Sequence, residues 1–199
     1  MSTEKILLNA GCGLAGSSRL PGMFSAWREL RVDIDPAVRP DIVADLVNLS
    51  QVGSGVIDAV WTAHCIEHLY EHDVAGALSE IRRVLRNDGF ACIIVPDLQR
   101  IASWIVDDKM HEPIYTSAAG PITAHDIVYG YGLAIKSGAT AMAHKCGFTP
   151  TSMIRHITSA GFGGYFLVRR PTFELAAVVR KVNWPNPSER AALQQNLGL

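Results

Sequence analysis

Gly11, Gly13 and Gly16 stand in the spacing G-x-G-x-x-G, directly after an apolar run that stops on Asn9. Glycine lacks a Cβ, so it tolerates positive φ and lets a ligand approach the backbone closely. A run ending in "NAGCG" therefore offers ligand-facing backbone, although that spacing alone is also met in glycine-rich turns that bind nothing. The next apolar run ends in "RVDIDP", which supplies Asp33 and Asp35. A carboxylate at the end of a second strand can accept from both hydroxyls of a ribose. Together the two stretches predict a ligand that contains a nucleoside.

A second constellation follows at "HCIEH", His64 to His68. It matches H-x-x-E-H, a zinc-hydrolase pattern in which two histidines and a glutamate share a helix face. Such a pattern wants a long helix, and this stretch starts at a strand end and meets Tyr70–Asp73 within about two turns. The expectation is no metal, with Glu67 and His68 bonded to neighbouring loops. His64, nearest the strand end, is the better candidate for ligand contact. Asp97, His125, Asp126, His144 and Lys145 are further polar groups beyond the later strands. A histidine or carboxylate of this kind can take a proton from an oxygen or nitrogen nucleophile near neutral pH. The alternative for each is a helix cap or a partner for loop carbonyls.

These residues need a frame. Lys5–Leu8, Leu30–Ile34, Asp41–Ala44, Ile57–Thr62 and Phe90–Val95 are short aliphatic runs suited to a parallel sheet buried on both faces. Between the last two, Asp73–Arg86 carries one apolar stripe, with Asp73 as its expected cap and "NDG" at Asn87–Gly89 as its expected end. A second helix is predicted from Thr149 and Pro150 to just before Gly161. "YFLVRR" and "FELAAVVRKV" flank Pro171–Thr172 and predict an antiparallel pair. The fold class is α/β, mostly parallel, closed by a C-terminal hairpin. Residues 97–147 are long for a bare connection, which is typically ~4–6 residues. They read as a substrate lid inserted in one domain spanning 1–199.

Composition narrows the partners. With 199 residues and a net charge of −1, the chain lacks the basic excess that nucleic acid or an anionic membrane would call for. No apolar run approaches the ~20 residues of a membrane span. The charged start "MSTEKILL" predicts no signal peptide. Cys12, Cys65, Cys92 and Cys146 form no C-x-x-C pair, and read as reduced thiols of a cytoplasmic protein. The apolar lid leaves a homodimer open.

The helix after the glycines separates the candidate ligands. A dinucleotide needs a helix N-terminus at its pyrophosphate, and Pro21–Gly22 interrupts "LAGSSRLPGMFSAWRE" midway. A ligand without phosphate, such as S-adenosylmethionine, needs no such dipole. "LLNAGCG", "RVDIDP", "DIVADL", "DAVWTAHCIEHL" and "EIRRVLRNDGFACIIVPDL" occur in the order and spacing of class I S-adenosylmethionine-dependent methyltransferases. Over residues 5–98 the chain resembles their small methyltransferase-11-type members. The resemblance implies a Rossmann-like, doubly wound, seven-stranded sheet and methyl transfer to an unidentified, small-molecule acceptor. It places Asn9, Ala10, Gly11, Cys12, Gly13, Asp33 and Ile34 at the cofactor, with Asn9 ending the first strand, Gly11 and Gly13 against the methionine part and Asp33 holding the ribose hydroxyls. Asp45 would accept from the adenine amino group with Leu46 beside the ring, and Ala63 and His64 would border the transferred methyl. The catalytic candidates are His64, Asp97, His125 and His144. Two departures stand out: a shortened first helix and the long 97–147 segment. A non-catalytic nucleoside-binding relic of the fold and a nicotinamide-dependent oxidoreductase are the competing readings.

Overall fold

The computed structural model describes residues 4–16, 20–117 and 119–199. Five strands supply its parallel part: β1 (Ile6–Ala10), β2 (Arg28–Asp33), β3 (Ile42–Val43), β4 (Ile57–Ala63) and β5 (Leu85–Pro96). A C-terminal hairpin, β8 (Gly164–Arg170) and β9 (Glu174–Arg180), completes a seven-stranded sheet of order β3-β2-β1-β4-β5-β9-β8. The pairings from β3 to β5 are parallel, and β9 runs antiparallel to both β5 and β8. Chain order reverses between β1 and β4, so a crevice opens beyond their carboxyl ends.

Alternating side chains divide between two faces, as the pleat requires. Leu8, Val60, Ile93 and Val95 face one cluster, packed with Val74, Leu78 and Ile81 of α1 (Glu71–Val84) and with Met153 and Ile157 of α5 (Pro150–Ser159). Leu7, Trp61, Cys92 and Ile94 face the other, covered by Phe24, Phe166 and Leu197. The last of these follows α6 (Pro187–Asn196), a helix the apolar patterning does not announce. Among the described residues no helix is long and apolar enough to cross a membrane.

Two expectations about α1 need correction. Its N-cap is Tyr70, without a side-chain hydrogen bond, and Asp73 lies in the first turn, where its charge suits the helix dipole. The helix ends at Val84 and passes directly into β5. Gly55 N and Val56 N donate to the carbonyls of Arg83 and Val84 at 3.0 Å each, so the helix end is satisfied without a glycine cap. Gly89 of "NDG" serves the sheet instead, since a Cβ there would lie 2.9 Å from Asp58 O.

Thr149 caps α5 with its hydroxyl, Pro150 opens the helix, and the helix stops before Gly161, as its sequence predicts. Pro21 and Gly22 likewise open only a three-residue turn, Gly22–Phe24, while Ser17–Arg19 of the interrupted helix lie outside the described residues. The 97–147 segment is folded rather than a bare connection. It contains α2 (Leu98–Val106), the hairpin β6 (Pro113–Ser117) and β7 (Gly120–Thr123), α3 (Ala124–Tyr129) and α4 (Gly132–Lys136). Ile101, Ala124 and Ile127 form its own small core. Its two ends meet where Asp97 bridges Phe148.

Candidate functional site

The carboxyl ends of β1, β2, β3 and β4 lie side by side, with Ala10 opposite Val32, Asp33 opposite Val43, and Asn9 opposite Trp61. This brings the glycine loop, Asp33, Ile34 and Ala63 to one edge. Gly11 and Gly13 adopt φ of +70° and +59°. At Gly11 no larger residue fits, because a Cβ would lie 2.6 Å from Cys65 Sγ. Gly11 N donates to Val32 O at 2.9 Å, and Gly13 N donates to Asp33 Oδ2 at 2.9 Å. Asp33 Oδ1 accepts from Asp35 N at 3.0 Å. A carboxylate has about four lone-pair positions, so Asp33 retains capacity for a ligand while bracing the loop.

Beside it, Ile34 is 60% exposed, an apolar shelf at the mouth of the crevice. Asp45 accepts from Val47 N at 3.1 Å, and Leu46 is buried behind it. Burial pushes the Cys65 thiol up to about 12, and the charges of Glu67, Asp33 and Asp45 add to this. Asn9 is buried and donates through Nδ2 to Glu29 Oε1 at 2.7 Å. Cys12 is buried as well. Both support the loop from within.

A cleft of about 220 Å³ adjoins this edge, bounded by the ends of β4 and β5, the β8–β9 turn and the 97–147 module. His64, His68, Tyr115, Asp126, His144 and Glu174 are among its lining residues. His64 has φ +53°, with its amide donating to Ile94 O at 2.9 Å. Left-handed backbone at a non-glycine residue is strained, and such strain collects at functional positions. Its Nε2 lies 2.9 Å from Glu174 Oε1 and its Nδ1 3.3 Å from Glu67 Oε1. About half of its side-chain surface is exposed, and the ring lines the cleft. Burial opposes its charge, but the hydrogen bond to Glu174 and the close Glu67 carboxylate outweigh that and push His64 up to about 10. It is an imidazolium at neutral pH and takes no proton there, a correction to its reading as a base.

The other candidates divide sharply. Asp97 is fully buried, caps α2 through Oδ1 and pairs Oδ2 with Arg169 Nε at 2.9 Å without hydrogen-bond alignment. Its role is structural. His125 stacks on His111, meets the Tyr129 ring at a tilt and is absent from the cleft wall. Asp126 lines the cleft, yet its oxygens accept from Thr123 N, the Thr123 hydroxyl and Gly132 N. His144 lines the cleft, burial lowers its pKa, and Nδ1 donates to Ile127 O at 2.9 Å. Lys145 sits over the Tyr70 ring, 4.9 Å from its centroid.

Glu174 and Tyr115 are cleft residues that sequence reasoning missed. Glu174 opens β9 in register with Pro96. The pairing of β5 with β9 brings it to His64 across 110 positions, a separation no local motif reveals.

Residues 8–93 match the model of a family described as "Methyltransferase domain". No curated protein matches the chain in sequence. Among solved structures, a Pyrococcus horikoshii protein shares 14% identity over 90% of this chain and 83% of its own, at a TM-score of 0.61. An S-adenosylmethionine-dependent methyltransferase from Methanosarcina mazei shares 12% over 92% and 95%, at 0.58. The Burkholderia thailandensis 1,6-didemethyltoxoflavin-N1-methyltransferase, solved with 1,6-didemethyltoxoflavin and S-adenosylhomocysteine, shares 17% over 90% and 72%, at 0.53. At these identities the likeness is one of fold.

Proposed function

We propose that this chain, whose residues 8–93 match the methyltransferase-domain model, is a class I S-adenosylmethionine-dependent methyltransferase that transfers the methyl of S-adenosylmethionine to a small acceptor in the adjoining cleft. The observation that carries this reading is the pairing of Gly13 N with the Asp33 carboxylate at the strand-order reversal. It sets backbone for the methionine part and a carboxylate for the ribose hydroxyls side by side. Ile34 offers an apolar surface, and Asp45 an acceptor for the adenine amino group. The Burkholderia thailandensis neighbour, with S-adenosylhomocysteine bound, supports the same cofactor.

Methyl transfer from a sulfonium is an in-line displacement, so the protein contributes alignment and exclusion of water. The nucleophile's lone pair attacks the methyl carbon as the carbon–sulfur bond breaks, leaving S-adenosylhomocysteine. A cleft of about 220 Å³ suits a small molecule. The His64 imidazolium and the Glu174 carboxylate present opposite charges to its polar groups. His144, neutral and in the wall, is the group able to take the acceptor's proton.

Calorimetry with S-adenosylmethionine, S-adenosylhomocysteine and NADH tests the reading, followed by a metabolite screen for S-adenosylhomocysteine release. Binding of the first two but not NADH is expected. Binding of NADH alone moves the chain to the oxidoreductases, and cofactor binding without turnover across the screen favours the non-catalytic relic.

A further inference from the structure

Glu67, His68 and His144 each bring a ligand atom within 4.8 Å of the other two. We propose that these three residues hold a divalent transition-metal ion, with zinc as the metal they suit. Glu67 and His68 close the short turn after β4, and His144 arrives from the far end of the 97–147 module. Lys145 N and Cys146 N donate to Glu67 O at 2.9 and 3.2 Å, which fastens the two stretches together. The rings of His68 and His144 meet edge to face with centroids 4.8 Å apart.

The histidine hydrogen bonds determine which nitrogens are available. His68 Nδ1 lies 3.2 Å from Ala143 O, and His144 Nδ1 lies 2.9 Å from Ile127 O. A carbonyl oxygen only accepts, so in each neutral ring Nδ1 is the donor and Nε2 keeps its lone pair. Ligating histidines are usually held in this way, by a hydrogen bond from the other ring nitrogen. The carboxylate is an independent observation. Glu67 is 1% exposed, and among the described residues neither of its oxygens takes part in an aligned hydrogen bond. His64 Nδ1 approaches Oε1 at 3.3 Å without hydrogen-bond alignment. His64 offsets this buried charge from one side only, and a carboxylate has about four lone-pair positions, so Glu67 keeps capacity for a metal ion.

Two imidazoles and a carboxylate form a zinc ligand set that leaves a further position for a water or substrate. His68 and His144 both line the cleft, so that position opens onto it. Ligands ~2.0–2.1 Å from zinc lie roughly 3.3 Å apart in a tetrahedron, so the three side chains close slightly around the ion. The set differs from the H-x-x-E-H reading in one member: His64, whose Nε2 faces Glu174, gives way to His144. If the methyl-transfer reading also holds, the open position can bind an acceptor oxygen or nitrogen and make it more acidic. The ligand and base roles of His144 are then alternatives, since both use the same lone pair.

Equilibrium dialysis of the chelator-stripped full chain against Zn²⁺ tests the site, with Co²⁺ as a visible-spectrum probe of ligand number. One ion per chain is expected. His68→Ala and His144→Ala should each weaken it by more than roughly 100-fold, beyond the ~10–100-fold that outer hydrogen-bond partners are worth. His125→Ala, outside the cleft wall, should leave it unchanged. Circular dichroism checks each fold, and Glu67→Gln and His144→Gln keep side-chain bulk should an alanine variant unfold. Absence of a stoichiometric ion, or binding that survives loss of both histidines, overturns the site. The readout is metal content and spectrum, so the outcome is independent of cofactor calorimetry.

Discussion

Asp33 Oδ2 accepts the Gly13 amide at 2.9 Å, so the carboxylate assigned to the ligand also fixes the loop opposite it. Removing it should act on both. Asp33→Ala is expected to weaken S-adenosylmethionine by about 1.5–3 kcal/mol, the range for hydrogen bonds to a charged group. Asp33→Asn, which keeps the shape, separates the loss of charge from the loss of bracing. Calorimetry on folded variants checks this, and unchanged affinity in both would remove Asp33 from the site.

Gly11 is required for a different reason. Its φ of +70° disfavours any side chain, and a Cβ would meet Cys65 Sγ at 2.6 Å and Cys65 Cβ at 2.8 Å. Gly11→Ala should cost more than about 1 kcal/mol of stability, because both backbone and space are wrong for it. Adding Cys65→Ala removes the sulfur but not its Cβ, so it should restore part of the loss and not all. Urea unfolding of the two single variants and the double variant gives the coupling. Full additivity would show that the clash with Cys65 is immaterial.

Asp126 supplies a pH dependence with a definite sign. Burial opposes its charge, but the Thr123 hydroxyl and the Gly132 and Thr123 amides outweigh that and hold its carboxyl below the ordinary value of 3.8. A carboxyl depressed in the folded state binds its proton more readily when unfolded, so stability falls as pH drops. Its contribution is present above the unfolded pKa and disappears as pH falls through the lower folded one. Asp126→Asn should lower stability at neutral pH and flatten the loss between neutral and acid. Thermal melts at several pH values measure both, and an unaltered acid slope would show that the capping box around α3 contributes nothing through charge.

The legible part of the molecule is the part set by local rules. The strands, the Thr149 cap and the closing hairpin are visible because alternation, capping and turn chemistry act over a few residues. The end of α1 is not legible locally, because its last carbonyls are met by Gly55 and Val56, far away in sequence. The cleft was the least legible. The β5–β9 pairing brings Glu174 to His64, and the return of the inserted module brings His144 to His68. Asp97 and His125 had suitable chemistry, but burial and stacking use it elsewhere. "HCIEH" carried two of the three proposed ligands, while the third lies 76 positions beyond His68, numbering from 68 to 144.

The 97–147 module should behave as a separately opening cover of the cleft. Its core of Ile101, Ala124 and Ile127 is distinct from both clusters that flank the sheet. Its ends are joined to each other at Asp97 and Phe148, so it can loosen without unpairing β1, β4 or β5. Units with few buried apolar contacts open at lower free energy than the global transition. A site that must exclude water around a sulfonium benefits from a part that closes after both ligands arrive. Hydrogen exchange on the ligand-free chain should therefore show amides of α2 and α3 exchanging well before those of β4 and β5. Tyr115 and Ile122 line the cleft from this module, whereas the cofactor residues lie on the sheet edge. Tyr115→Ala and Ile122→Ala should thus raise KM for an acceptor found by screening while leaving S-adenosylmethionine affinity within about twofold, or ~0.4 kcal/mol. Exchange as slow as the core sheet would rule out a mobile cover, and loss of cofactor affinity in either variant would place the module in the cofactor site instead.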